Sequence, residues 1–137
     1  MSSSDLISSG AIILSVIAIA YGGVFLLRVT TGGVAANDLQ RRFFRAGHAH
    51  AGVLVILGLV LRLLLVDDRV PAWSSAMADG VLFAAILMPA GFFLSVIGRD
   101  PERPSSWRVL IWIGAASLTI GLAAAGIGLI VAGVARA

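Results

Sequence analysis

The chain has 137 residues, of which 59% are hydrophobic and 12% charged, with seven acidic against ten basic side chains. Soluble domains carry about 25% charged residues, so these totals leave too little polar surface for a fold bathed in water. The +3 excess lies in short loops, not on the basic face or stripe that a nucleic-acid footprint requires, and nucleic acid is excluded as a partner.

All basic residues are arginine, and cysteine is absent, which removes disulfides, thiolate ligands and thiol nucleophiles. The opening "MSSSDLISSG" has neither a basic n-region nor a small-residue cleavage site after a short apolar core. It reads as the start of a retained span, not as a cleaved signal peptide.

A helix crosses the hydrocarbon with about 20 mostly apolar residues. The first such segment is Gly10 to Leu27, ending at Arg28, within a span over about 8–28. The loop "RVTTGGVAANDLQRR" then supplies Gly and Asn/Asp breakers, and "NDLQ" marks a helix start with Asn37 or Asp38 as the cap. The second helix therefore begins near Asp38, outside the hydrocarbon, and spans about 40–66. Its apolar part, Ala46 to Val66, is interrupted only by His48, His50 and Arg62.

"VDDRVPAW" is a tight polar turn, with Pro71 suited to a helix start. The third span, about 74–98, is interrupted by Asp79, and Pro89 predicts a kink. The Pro-rich loop "GRDPERPSSW" follows, with Ser105 or Ser106 as the next cap. The fourth span, about 106–134, holds an uncharged run from Val109 to Ala135. The predicted architecture is a single all-α transmembrane domain over 1–137: four helices in an antiparallel up-down bundle.

Arg28, Arg41, Arg42 and Arg45 follow the first span, and Arg99, Arg103 and Arg108 follow the third. Arg62, Arg69 and Arg136 serve the opposite side. Short basic loops stay cytoplasmic, so both termini are expected on the non-cytoplasmic side of a multi-pass cell-membrane protein. Small residues that let backbones approach are the packing signal in lipid. They form one line per span: Ala11, Ser15, Ala18, Gly22; Gly47, Ala51, Gly58; Gly80, Ala84, Gly91, Ser95; and Gly114, Ser117, Gly121, Ala124, Gly128.

Polar chemistry gathers in "RRFFRAGHAHAGVLVI". Arg41, Arg42 and Arg45 sit in the first turns of a helix, where a cation opposes the dipole. A positive mouth for phosphate or carboxylate accounts for them better, with Phe43 and Phe44 buried at the interface beside them. Anionic phospholipid headgroups are the expected occupants, worth about 1 kcal/mol per arginine. His48 falls beside the small-residue line, with a headgroup, a loop carbonyl or Tyr21 as its expected partner, and His50 falls on a face expected to meet lipid.

At positions i and i+2 the two histidines point about 200° apart and do not share one metal ion. Either could still serve as a haem ligand. The run "GHAHAG" resembles the histidine-bearing spans of respiratory haem proteins, but their second axial ligand has no counterpart here, and no family follows.

Arg62 and Asp79 lie at matching depth on either side of a short turn. Ionisable residues at membrane depth are usually paired, so an intramembrane ion pair is expected. Ser15, Ser95, Ser117 and Thr119 suit packing and bonding back to their own helices, and no nucleophile–base pair emerges. The expected role is non-enzymatic: an accessory or ligand-binding subunit with a cationic site formed by Arg41, Arg42, Arg45, His48 and His50, alone, as a homo-oligomer or in a larger membrane complex. The rivals are an oligomeric transporter or channel gated at Arg62 and Asp79, and a redox subunit holding haem or quinone.

Overall fold

The computed structural model describes residues 3–135, whose regular elements are all helical, with no strand among them. The helices are α1 (Ser3–Thr30), α2 (Asp38–Leu64), α3 (Ala72–Ala78), α4 (Gly80–Leu94) and α5 (Val109–Val134). A 3-10 turn at Ser106–Arg108 leads into α5. With α3 and α4 taken as one span, four helical segments are long and apolar enough to cross a membrane.

The third span breaks at Asp79, not at Pro89. Asp79 ends α3 and begins α4, its carbonyl accepting from the amides of Leu82 (2.9 Å) and Phe83 (3.1 Å). Pro89 is buried inside α4, which continues through it to Leu94. Asn37, not Asp38, caps α2. Its side chain accepts from the Gln40 amide, and the Gln40 side chain accepts from the Asn37 amide, a complete capping box. Ser105 stands at the predicted N-cap position before the 3-10 turn but makes no side-chain cap bond, and its backbone amide donates to the Ser95 carbonyl at 2.7 Å.

The core forms where glycines admit neighbouring helices. A Cβ at Gly80 would stand 2.8 Å from the Ser117 carbonyl oxygen, and one at Gly121 2.9 Å from the Val81 amide nitrogen. Two hydrogen bonds, each 2.8 Å, tie α5 to the third span: Ser117 Oγ donates to the Gly80 carbonyl of α4, and Ser74 Oγ of α3 donates to that of Ala124. On α2, Gly47 receives Phe93 and Gly58 receives Leu82 of α4. Leu54, Val55, Ala84, Ala85 and Met88 complete one apolar cluster, with Leu61, Leu65, Val81 and Ala125 in a second.

α1 is different. It packs chiefly on α2, and Val29 is its only buried residue. Ile12, Ile19 and the Gly22–Gly23 pair face α2, whereas the small residues Ala11, Ser15 and Ala18 are exposed. Of the predicted stripe, Gly22 alone lies on the face that α1 turns to α2.

Candidate functional sites

Two polar sites lie in different parts of the molecule. The first surrounds Arg62, in the last turn of α2. Its Nη2 donates to Asp79 Oδ1 at 3.2 Å, and its Nη1 donates to Ser8 Oγ of α1. One guanidinium therefore joins α1, α2 and the break between α3 and α4. The Arg62 and Asp79 side chains are 24% and 44% exposed, respectively, so the pair is only partly withdrawn from its surroundings. Arg62 Nε is buried and meets no acceptor among the described residues.

These groups border a cavity of about 420 Å³ whose polar lining comes from Asp5, Ser9, Arg62, Asp68, Ser75 and Asp79, with Gly58, Leu61 and Leu65 on its apolar wall. The break at Asp79 lines this cavity. Sequence depth-matching brought Arg62 and Asp79 together, but Ser8 and the cavity gave no sequence signal beyond an ordinary serine-rich N-terminus.

The second site is the stretch from Arg41 to His50. Its three arginines do not converge on one pocket. All three are exposed, but Arg41 and Arg45 line a groove against α1 and Arg42 does not. Phe43 and Phe44 are half-buried and pack on rings of neighbouring helices. Phe44 stacks with Phe93 at 5.6 Å and meets Phe25 edge-on at 5.3 Å, and Phe43 meets Phe92 at 5.7 Å.

His48 lies against α1, where Gly22 and Gly23 leave room for the imidazole: a Cβ at Gly22 would come within 3.2 Å of Nδ1. Tyr21, named as a partner from sequence, is 73% exposed and makes no hydrogen bond to His48. His50, expected on an outward face of α2, packs instead against α4. Its ring lies tilted on Phe92 of α4, centroids 5.1 Å apart, and its Nδ1 is 2.7 Å from the Ala46 carbonyl.

The histidines thus address two different helices. Among the described residues no three His, Asp or Glu side chains gather as a metal cluster. As a haem ligand, each imidazole stands alone, His48 covered by α1 and His50 by Phe92, so the residues present do not form an axial pair.

Asn37 and Gln40 tie this region to the loop after α4. Asn37 Nδ2 donates to Asp100 Oδ1 (2.8 Å) and to the Pro101 carbonyl (2.9 Å), and the buried Gln40 amide donates to the carbonyls of Val96 and Gly98, both at 3.1 Å. Asp100 has φ 54°, a left-handed conformation tolerated by Asp more readily than by most residues. The two arginine-bearing loops are therefore held at one end of the molecule. Comparison with protein-family models, with curated proteins and with solved structures yields no match for this chain.

Proposed function

We propose that the chain is a multi-pass protein of the cell membrane that binds a small polar solute in the cavity at Arg62 and Asp79, without enzymatic chemistry of its own. In this reading the four long helices form an antiparallel up-down bundle with both termini on the non-cytoplasmic side. The arginine-rich loops, clamped together by Asn37 and Gln40, face the cytoplasm, in line with the positive-inside rule.

The observation that carries this reading is the coincidence of three features at one point: an ionisable pair within apolar spans, a helix break at Asp79, and a polar cavity of about 420 Å³. Ionisable residues in spans mark solute pathways by default, and broken spans line the solute sites of many transporters. Arg41, Arg42, Arg45 and His48 form no comparable enclosure, so the solute site belongs at Arg62 rather than at the cationic end. The break also favours a second reading, an oligomeric transporter in which Arg62 and Asp79 gate the solute.

The absence of cysteine makes a single introduced thiol unambiguous. Ser75 lines the cavity. In Ser75→Cys, a membrane-impermeant maleimide added outside intact cells is expected to react, and Ser105→Cys is expected to react only in inverted vesicles. Ammonium, guanidinium, glycine and glycerol are then tested for slowing the Ser75→Cys reaction. Saturable protection by one of them supports solute binding. Labelling that none of them slows overturns it, and reversed sidedness overturns the orientation.

A further inference from the structure

Below the cationic end, the seam between α1 and α2 opens into a groove of about 230 Å³ lined by Leu26, Val29 and Thr30 of α1 and by Arg41 and Arg45 of α2. The arginines are one helical turn apart, where side chains at i and i+4 are neighbours. Each is anchored through Nε to a backbone carbonyl, Arg41 to Ala36 at 3.0 Å and Arg45 to Arg41 at 3.3 Å. Neither is ion-paired among the described residues, and their Nη amines make no hydrogen bond there. Two oriented guanidinium groups with uncommitted donors thus stand over an apolar floor.

We propose that this groove binds the phosphate of an anionic phospholipid, held between Arg41 and Arg45, with an acyl chain following Leu26 and Val29 along the α1–α2 seam. Guanidinium groups suit phosphate oxygens as charge-assisted donors. The apolar floor selects the lipid over a free anion, because inorganic phosphate gains nothing from Leu26 and Val29. Arg42, on another face, contributes only diffuse charge. The inference rests on the membrane insertion proposed above but not on the solute cavity.

The test measures phosphatidylglycerol bound to protein purified in dodecyl maltoside, by native mass spectrometry, with phosphatidylcholine as the reference lipid. Each variant is first shown to stay in the carbonate-resistant membrane fraction, so that failed insertion is read separately from lost lipid. With about 1 kcal/mol per arginine, R41Q/R45Q is expected to weaken phosphatidylglycerol binding about 30-fold. R42Q should change it by less than about fivefold, and phosphatidylcholine, whose phosphate is balanced by its own choline, should lose less than phosphatidylglycerol in R41Q/R45Q. Losses in R42Q equal to those in R41Q or R45Q would overturn the groove in favour of diffuse surface charge. Displacement of the lipid by millimolar inorganic phosphate would overturn it in favour of a free-anion site.

Discussion

The seam between α4 and α5 and the seam between α1 and α2 are built from the same residue types and behave differently. At the first, glycines meet backbone: the Ser117 carbonyl faces Gly80, the Val81 amide faces Gly121, and each approach leaves no room for a methyl group. At the second, Gly22 and Gly23 meet the ring of His48, a side chain. In the most apolar window of α1 none of the residues is buried, against 39% in the span formed by α3 and α4. Small residues therefore permit close approach without compelling it. What compels it is a partner with matching small residues and interhelical hydrogen bonds such as Ser117 to Gly80.

The sharpest way to break this contrast is to add volume on both sides of it. Gly121→Val drives a side chain into the backbone of α4 and should cost about 1–3 kcal/mol or more, read as a lowered thermal midpoint in detergent. Gly126→Val, in the same helix, and Gly10→Val in α1 meet nothing within 4 Å and should leave the midpoint within about 0.5 kcal/mol of wild type. A large loss at Gly126 would mean that the outer face of α5 is covered by another helix.

Arg62 makes a polar bond between α1 and the rest of the bundle. Asp79→Ala leaves its guanidinium with Ser8 alone. Because both partners are partly exposed, the expected loss is about 1 kcal/mol, not that of a buried pair. Arg62→Ala in the same chain should recover part of it. Strictly additive losses in the double variant would show that the two residues act independently despite their 3.2 Å separation.

The Asn37 clamp separates two roles of one side chain. Asn37→Asp keeps the oxygen that caps α2 but removes the Nδ2 donors to Asp100 and Pro101 and sets a carboxylate against Asp100. Asn37→Ala removes cap and clamp together, at about 1 kcal/mol for the cap. If the loop tie matters, the Asp variant should be nearly as unstable as the Ala variant, and protease cleavage after Arg99 or Arg103 should accelerate in both. A wild-type cleavage rate in Asn37→Asp would reduce the residue to a cap.

The four apolar segments, the Asn37 region as a helix start and the packing faces of α4 and α5 were legible in the sequence, because length, cap chemistry and glycine spacing are local signals. The face of α1 was not. The helix is apolar on every side, so its small residues could not say which side α2 would occupy, and Ala11, Ser15 and Ala18 are exposed. His50 was misplaced for a related reason. It lies only about 60° around α2 from the Gly47–Gly58 line, and Phe92 reaches across that angle. The arginines looked like one pocket because they share two turns of sequence, yet Arg42 turns away from the groove that Arg41 and Arg45 line. The break at Asp79 was hidden by Pro89, the stronger local signal, whereas the turn at Asp79 accompanies its tertiary contact with Arg62.

The smallest expected effect probes the α1–α2 seam directly. In Gly22→Ala the new Cβ stands 3.2 Å from His48 Nδ1, near enough to push the imidazole by a few tenths of an ångström but not to meet backbone. Ala also favours helix over Gly by roughly 1 kcal/mol, which offsets the crowding. The stability change should therefore be only a few tenths of a kcal/mol. His48→Ala removes the obstacle, so Gly22→Ala should be more favourable in that background than in wild type, by an amount read from the double-mutant cycle. The same Gly→Ala change at Gly80 has no such escape, because its obstacle is a carbonyl of α5. If Gly22→Ala proved as damaging as Gly80→Ala, the seam of α1 would be as tightly closed as that of α5, and the contrast between the two regions would fail.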